Sequence, residues 1–270
     1  MMVTGNDKDI GYRQWIHPAP RAVFLLVHGL GTHSGRWEAT AEFFLKHGIS
    51  SYAIELHDYD QSGKLCEASD NFKSFYRKIL RLSEIVAGAN PGKKIFLIGE
   101  SLGALISFLV CTDRPGLFDG LVCISPAFVT RHKLTFTETL RMLAPLLYDP
   151  KKRSKLPFDS SMCTRDAAYR ARLDNDPREY RTASAKLIFE ILMAQARARV
   201  VNKKLTTPAL FLVAGDDKIV DPKAARAVFG GLSVKDKSLV EFPGMYHALS
   251  IELGKEKVFE VLLVWVNGRV

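Results

Sequence analysis

Residues 95–104 read Ile-Phe-Leu-Ile-Gly-Glu-Ser-Leu-Gly-Ala, and this stretch decides the fold. Four apolar residues lead into a Gly-x-Ser-x-Gly motif, and a second apolar run follows it at residues 102–110. The first run is typical of a buried strand, and the second, with its small and aliphatic residues, is typical of a helix. Side chains in place of Gly99 and Gly103 would collide with the neighbouring strand and helix. We therefore predict that Ser101 is a nucleophile at the carboxyl end of a parallel sheet.

A serine nucleophile needs a base, and the base needs an acid that orients it. In folds that carry this turn, the chain order is Ser, then Asp or Glu, then His. One apolar strand is followed by Asp216, Asp217 and Asp221, and a later strand is followed by His247. Asp221 precedes a proline and a helical stretch, which is typical of a helix N-cap. Asp217 fits the Asp-x-x-Val pattern best, so we predict a catalytic triad of Ser101, Asp217 and His247, with Asp216 as the alternative acid.

A glycine-rich loop follows another strong apolar strand. Residues 28–37 read His-Gly-Leu-Gly-Thr-His-Ser-Gly-Arg-Trp, and glycines allow a backbone to approach a ligand closely. We predict that the amides of Leu30 and Leu102 form an oxyanion hole, in which each donor contributes about 3 kcal/mol. We expect His28 to be structural.

Strands and helices alternate along most of the chain, which is typical of a mostly parallel sheet covered by helices on both faces. The alternation stops between residues 127 and 205, where the pattern predicts helices but no strand. We predict an α/β fold of the hydrolase type, with a core at residues 1–126 and 206–270. Residues 127–205 would form an inserted helical cap (lid), in which some apolar side chains line a channel above Ser101. A length of 270 residues suits such a domain.

Composition bounds the class of protein. The polar residues 1–9 lack the apolar stretch of a signal peptide, and no apolar run is long enough to span a bilayer. The four cysteines are scattered, without a Cys-x-x-Cys pair. These features predict a reduced, cytoplasmic protein that needs neither a metal nor an organic cofactor.

The net charge of +9 is concentrated in one segment. Residues 150–204 contain 14 Lys and Arg against 6 Asp and Glu, a net charge of +8. This charge is explained either by a solvated surface or by attraction to an anionic membrane surface or a phosphate-bearing head group. Nucleic-acid binding is not expected, because no binding motif accompanies the charge.

Four motifs together resemble the monoacylglycerol lipase and lysophospholipase group of α/β-hydrolases. They are the serine turn at residues 99–103, the loop at residues 28–37, the Asp217-x-x-Val220-Asp221 loop, and Tyr246-His247. Residues 173–177, Leu-Asp-Asn-Asp-Pro, are also similar to a stretch in that group. The resemblance covers nearly the whole chain. It implies a serine hydrolase with a mobile helical cap that cleaves carboxylic esters with acyl chains.

Three positions differ from the family pattern. Thr32 stands where the family usually has Glu, Ala104 where a further Gly is common, and the loop at residues 58–63 is shorter. These differences bear on substrate choice, because the same fold also serves short-chain carboxylesterases, thioesterases and serine peptidases. A non-catalytic ligand-binding protein is disfavoured, because all three triad residue types are present in order. Acyl length, head group, cap position and oligomeric state stay open.

Overall fold

The structure is a computed structural model and describes residues 2–7, 10–57, 70–132 and 135–270. The short loop at residues 58–63 and Cys66 lie outside the described residues.

Ten strands are present in the described part of the chain. They are β1 (Met2–Asp7), β2 (Ile10–Trp15), β3 (Ala22–Val27), β4 (Ile49–Ile54), β5 (Lys94–Glu100), β6 (Gly120–Ile124), β7 (Arg153–Lys155), β8 (Thr182–Ser184), β9 (Ala209–Ala214) and β10 (Lys237–Phe242). Eight of them form one sheet in the order β1-β2-β4-β3-β5-β6-β9-β10. The strands from β4 to β10 in this order are parallel, whereas β2 is antiparallel to both of its neighbours. This sheet confirms the predicted α/β fold.

Helices cover the sheet. They are α1 (Glu38–Leu45), α2 (Phe72–Ala89), α3 (Leu102–Asp113), α4 (Phe136–Leu143), α5 (Ser160–Cys163), α6 (Ala167–Asn175), α7 (Ala185–Val201), α8 (Pro222–Gly230) and α9 (Lys255–Asn267), with 3-10 turns at Ser34–Trp37, Ala144–Leu147 and Asn202–Lys204. None of the helices in the described residues has the length and apolar character needed to span a membrane.

Strand β3 shows why the central strands read as unbroken apolar runs. Val23, Leu25 and Val27 pack with α2 and α3 on one face of the sheet. Phe24 and Leu26 alternate with them and pack with α1 and α9 on the other face. Because successive side chains point to opposite faces and both faces are covered, every position of the strand is buried.

Residues 127–205, which we call the insert, lie between β6 and β9. The insert contains α4 to α7, and its longest helix, α7, packs on α2 and α3. It also contains β7 and β8, which pair antiparallel. The prediction that this segment contains no strand was therefore wrong. Each of the two strands has only three residues, which is too short for a period-two pattern to be recognised.

Candidate active site

Ser101 lies on a strained turn between β5 and α3. Its φ of 58° and ψ of −120° are unusual for a residue other than glycine. A Cβ on Gly99 would lie 2.4 Å from the carbonyl carbon of Gly103. A Cβ on Gly103 would lie 2.2 Å from the carbonyl oxygen of Val27. Both distances are shorter than real Cβ contacts, so the close passage of α3 beside the sheet requires glycine at both positions.

His247 is bonded to Asp217 at the carboxyl edge of the sheet. Nδ1 of His247 lies 2.8 Å from Oδ2 of Asp217, and both side chains are buried. The other oxygen of Asp217 accepts hydrogen bonds from the amides of Ile219 at 2.8 Å and Val220 at 2.9 Å. The carboxylate is therefore held in one orientation, with Oδ2 directed at the imidazole.

The two neighbouring aspartates have other partners. Asp216 pairs with Nζ of Lys218 at 2.6 Å in a partly exposed position. Asp221 is the N-cap of α8, where its Oδ1 accepts from the amide of Lys223 at 2.9 Å. Of the three candidates, the structure thus places the carboxylate of Asp217 against the imidazole.

The electrostatic environment of His247 favours its protonated form. Burial lowers the pKa of His247, but the charge and hydrogen bond of Asp217, helped by the charge of Glu100, outweigh burial and raise it above the ordinary value. Arg36 opposes this rise. A buried imidazole in this site can therefore take up a proton without leaving the charge uncompensated.

The glycine-rich loop lies directly beside Ser101. A Cβ on Gly29 would lie 3.2 Å from that of Ser101. His28 supports the loop through contacts of its Nδ1 with the carbonyl oxygen of Gly29 at 2.8 Å and of its Nε2 with the amide of Leu56 at 3.1 Å. Leu102 is the first residue of α3, where an amide has no acceptor within its own helix.

The same loop also contacts the insert. Gly31 has a positive φ of 73°, and its carbonyl oxygen accepts a hydrogen bond from the amide of Tyr180 at 3.0 Å. A Cβ on Gly31 would lie 2.1 Å from the carbonyl oxygen of Tyr180, so only glycine allows this approach.

One cavity brings Ser101, His247, Leu30 and Leu102 together. It encloses about 880 Å³, including space open to solvent. A neighbouring apolar cavity of about 740 Å³, which also includes space open to solvent, is lined in part by α4 and α7. The two cavities are adjacent, because they share six lining residues: Leu30, Thr130, Phe158, Ile191, Gln195 and Ile219.

Three charged residues at the cavity were not singled out from the sequence. Arg36 and Glu179 form a buried ion pair between the glycine-rich loop and the insert. Glu100, inside the serine turn, is buried and bonded to Ser250. Glu179 carries no sequence signal, because its partner lies 143 positions away. Glu100 could have been suspected, since a charged residue at the end of a buried strand requires a partner.

Within the described residues, no group of three or more His, Cys, Asp or Glu side chains is arranged to hold a metal ion. In this cavity His247 is instead bonded to Asp217, Arg36 to Glu179, and Glu100 to Ser250.

A strained serine turn after the central strand, with a histidine and aspartate supplied by loops after later strands, is the arrangement of the α/β-hydrolases. The family model described as serine aminopeptidase, S33, matches residues 18–254, and the chain belongs to this family of α/β-hydrolases.

Proteins similar to this chain include ester hydrolases. The chain is 32% identical to the monoglyceride lipase of Homo sapiens over 261 residues, which cover 93% of this chain and 84% of that protein. It is 28% identical to the phospholipase YtpA of Bacillus subtilis over 254 residues, 91% of this chain and 95% of that protein. The crystal structure of Paleococcus ferrophilus monoacylglycerol lipase superposes with a TM-score of 0.86 at 26% identity, covering 97% of this chain and 99% of that chain. These likenesses confirm the resemblance drawn from the motifs, and the protein is a carboxylic ester hydrolase.

Proposed function

We propose that the chain hydrolyses esters with a single acyl chain, monoacylglycerols or lysophospholipids, and that Ser101, Asp217 and His247 are its catalytic triad. The observation that carries this proposal is the cavity itself. It contains Ser101 and His247, which is bonded to Asp217, and it adjoins an apolar cavity that we call the apolar branch. A reactive hydroxyl at one end of an apolar space suits an ester whose acyl part is long and whose alcohol part is small.

The first step is attack by Ser101 on the ester carbonyl. Because Nδ1 of His247 is bonded to Asp217, Nε2 is the nitrogen that takes the proton from the serine hydroxyl. The new Oγ–carbon bond places a negative charge on the former carbonyl oxygen, and the amides of Leu30 and Leu102 stabilise this charge. His247 then gives its proton to the leaving alcohol, and an acyl-Ser101 ester remains.

The second step removes the acyl group. His247 takes a proton from a water molecule as the water oxygen attacks the acyl carbon. Collapse of the second tetrahedral species breaks the bond to Ser101 Oγ, which regains a proton from His247. The products are a carboxylic acid and the regenerated enzyme, and no cofactor takes part.

The apolar branch is the site proposed for the acyl chain. Its lining combines aliphatic and aromatic side chains such as Leu156, Phe158, Ile188 and Leu192. Burying an acyl chain there gains about 0.8 kcal/mol per methylene group. Residues 127–205 would accordingly act as a cap over the core formed by residues 1–126 and 206–270, since α4 and α7 line this branch.

The insert is also the surface proposed to contact anionic membranes transiently. Leu147 and Val200 are 92% and 80% exposed, and Lys151, Lys152 and Arg199 are exposed in the same segment. Apolar side chains among cations suit a surface of anionic lipid, towards which each cation contributes about 1 kcal/mol. Co-sedimentation with anionic vesicles should fall at high salt. Equal partitioning at low and high salt would contradict the electrostatic contribution.

A cytoplasmic location stays a prediction. Cys111, Cys123 and Cys163 are buried free thiols, which is compatible with a reducing compartment.

The decisive experiment is hydrolysis of p-nitrophenyl esters from short to long acyl chains, compared between the wild type and Ser101→Ala. We expect activity that holds or rises towards medium and long chains and that disappears in Ser101→Ala. Monoacylglycerols and lysophospholipids would then separate the two head groups. Activity confined to the shortest esters would indicate a short-chain carboxylesterase. Retention of most activity in Ser101→Ala would remove the serine from the mechanism.

A further inference from the structure

Glu100 occupies the position directly before Ser101, and its side chain is buried at the end of β5. A carboxylate in such a place has lost most of its contact with water, which is costly unless protein donors replace it. Its partners therefore indicate why this position carries a charge.

Both oxygens of Glu100 bond to the same residue. Oε1 accepts from the amide of Ser250 at 3.0 Å, and Oε2 accepts from the hydroxyl of Ser250 at 2.8 Å. Ser250 lies three positions after His247, in the turn between β10 and α9. The carboxylate thus joins the serine turn to the loop that carries the histidine, across 150 positions of the chain.

His247 and Arg36 are charged groups that act on this carboxylate. Burial raises the pKa of Glu100 above its ordinary value and outweighs the two bonds from Ser250 and the charges of His247 and Arg36, which lower it. Glu100 in turn helps to raise the pKa of His247 and the pKa of Tyr169, a residue of α6 in the insert. Asp217 and Arg36 are the other charged groups that act on His247.

We propose that Glu100 is a positioning residue that holds the His247 loop against the serine turn through its two bonds to Ser250. When ionised, the same carboxylate adds a negative charge near that loop. This inference rests on the proposed function, in which His247 is the base. Glu100 acts through Ser250 and through space, and no bond to substrate is assigned to it.

Two substitutions at Glu100 separate the effect of its bonds to Ser250, which we call the tether, from the effect of its negative charge. In Glu100→Gln, the amide oxygen can still accept from the amide of Ser250, and the NH₂ group can donate to the serine hydroxyl, which also accepts hydrogen bonds. Both bonds are thereby kept and only the charge is removed. Glu100→Ala removes both the bonds and the charge, while Ser250→Ala removes the hydroxyl bond and keeps the charge.

The experiment measures kcat, KM and the pH dependence of kcat/KM for these three variants, with the concentration of reactive Ser101 counted by a fluorophosphonate probe. We expect Glu100→Ala to lose roughly 10²-fold in kcat per reactive serine, since misplacement by about 1 Å can cost this much, with little change in KM. We expect Glu100→Gln to retain more activity. The acid limb of its kcat/KM profile against pH should move to lower pH, because the negative charge that favours protonated His247 is gone. Ser250→Ala should lose kcat without moving the limb.

Glu84→Gln is the matched control, because Glu84 lies on the exposed face of α2 and pairs with Arg81. It should match the wild type in every measurement. Wild-type kcat per reactive serine in Glu100→Ala would overturn the tether, and an unmoved acid limb in Glu100→Gln would overturn the role of the charge. Activity that persists in Ser101→Ala would instead refute the proposed function itself, so the two failures are distinguishable.

Discussion

Arg36 and Glu179 form a buried two-bond ion pair that joins the glycine-rich loop to the insert. Nε and Nη2 of Arg36 lie 2.7 Å from Oε1 and Oε2 of Glu179, respectively. The two side chains are only 8% and 4% exposed. Burial lowers the pKa of Arg36, but the charge and hydrogen bonds of Glu179 outweigh it, so the net pKa is raised. A fork-to-fork arrangement of this kind fixes orientation as well as distance.

Removing one partner of this pair should be costly. Glu179→Gln would leave the guanidinium of Arg36 buried without its bonded carboxylate, so we expect a loss of about 3 kcal/mol in the free energy of unfolding. Urea denaturation at neutral pH would measure it. The control is Glu241→Gln, because Glu241 pairs with Arg226 at the same 2.7 Å on an exposed surface, where such a pair contributes less than about 1 kcal/mol. Equal losses of unfolding free energy in the two variants would contradict the view that burial makes the Arg36–Glu179 pair more costly to break.

Substitution of Asp217 should abolish most turnover, whereas substitution of the neighbouring Asp216 should have little effect. In Asp217→Asn, the amide cannot hold the imidazole tautomer or stabilise its positive charge, so we expect a loss in kcat of roughly 10³- to 10⁴-fold, by analogy with other serine hydrolases. Asp216→Asn is the control at the adjacent position. Its carboxylate pairs with Lys218, and kcat should stay within about twofold of the wild type, as for most surface changes. A larger effect in Asp216→Asn would make that residue the acid.

Narrowing the junction of the two cavities should change the preference for acyl length. Ile191 lines both cavities, so a tryptophan there would fill the passage to the apolar branch. In Ile191→Trp we expect kcat/KM for long-chain esters to fall roughly tenfold or more relative to short-chain esters. Val264→Trp places the same side chain at an exposed position of α9, outside the insert, and its profile should match the wild type. An unchanged profile in Ile191→Trp would show that the acyl chain does not use this branch.

The fold should be less stable in mild acid than at neutral pH, because His33 is buried in its neutral form. Burial, with the charge of Arg178, lowers the pKa of His33 to about 4, against the opposing charges of Glu179, Glu55 and Asp176. Nδ1 accepts from the amide of Gly35 at 3.1 Å, so neutral His33 carries its proton on Nε2, 3.2 Å from Oδ2 of Asp176. Between pH 6.5 and 4 the unfolded chain binds a proton that the folded chain does not. Stability should therefore fall as pH decreases through this window, by about 3 kcal/mol at most.

The measurement is the free energy of unfolding across that window for the wild type and His33→Asn. An asparagine can accept the hydrogen bond from the amide of Gly35 as Nδ1 does, but it does not titrate, so the pH dependence should become flatter. His47→Asn, at an exposed position, should leave the wild-type slope unchanged. A wild-type slope in His33→Asn would show that another group causes the acid sensitivity.

The sheet and the serine turn were predictable because their signals are local. Strand β5 is an apolar run, α3 is a helix of small and aliphatic residues, and the two glycines mark where these elements pass each other within backbone contact. The same reasoning predicted Asp217 and His247 from loops after later strands, and the structure joins their side chains. Their catalytic roles remain predictions that the variants above would test.

The insert was less predictable, because its structure depends on distant partners. The strands β7 and β8 have three residues each and are separated by residues 156–181 of the chain. Glu179 and Glu100 likewise acquire meaning only from Arg36 and Ser250, which lie far away in the chain. Composition indicated that this part of the molecule is charged, but it could not indicate which charges are paired and buried.

The backbone contact between Gly31 and Tyr180 has a consequence for protein engineering. Exchanging inserts between related hydrolases is an obvious route to new substrate preferences, and residues 127–205 look like a self-contained cassette in the sequence. Tyr180, however, lies against the turn whose amide is proposed to stabilise the oxyanion, without room for a single methyl group. A chimera that replaces the whole cassette would therefore alter the reaction centre together with the selectivity. A graft meant to change selectivity alone would have to retain residues 176–181 of this chain and also residues 163–165, which bond Ala248 and Glu252 next to His247.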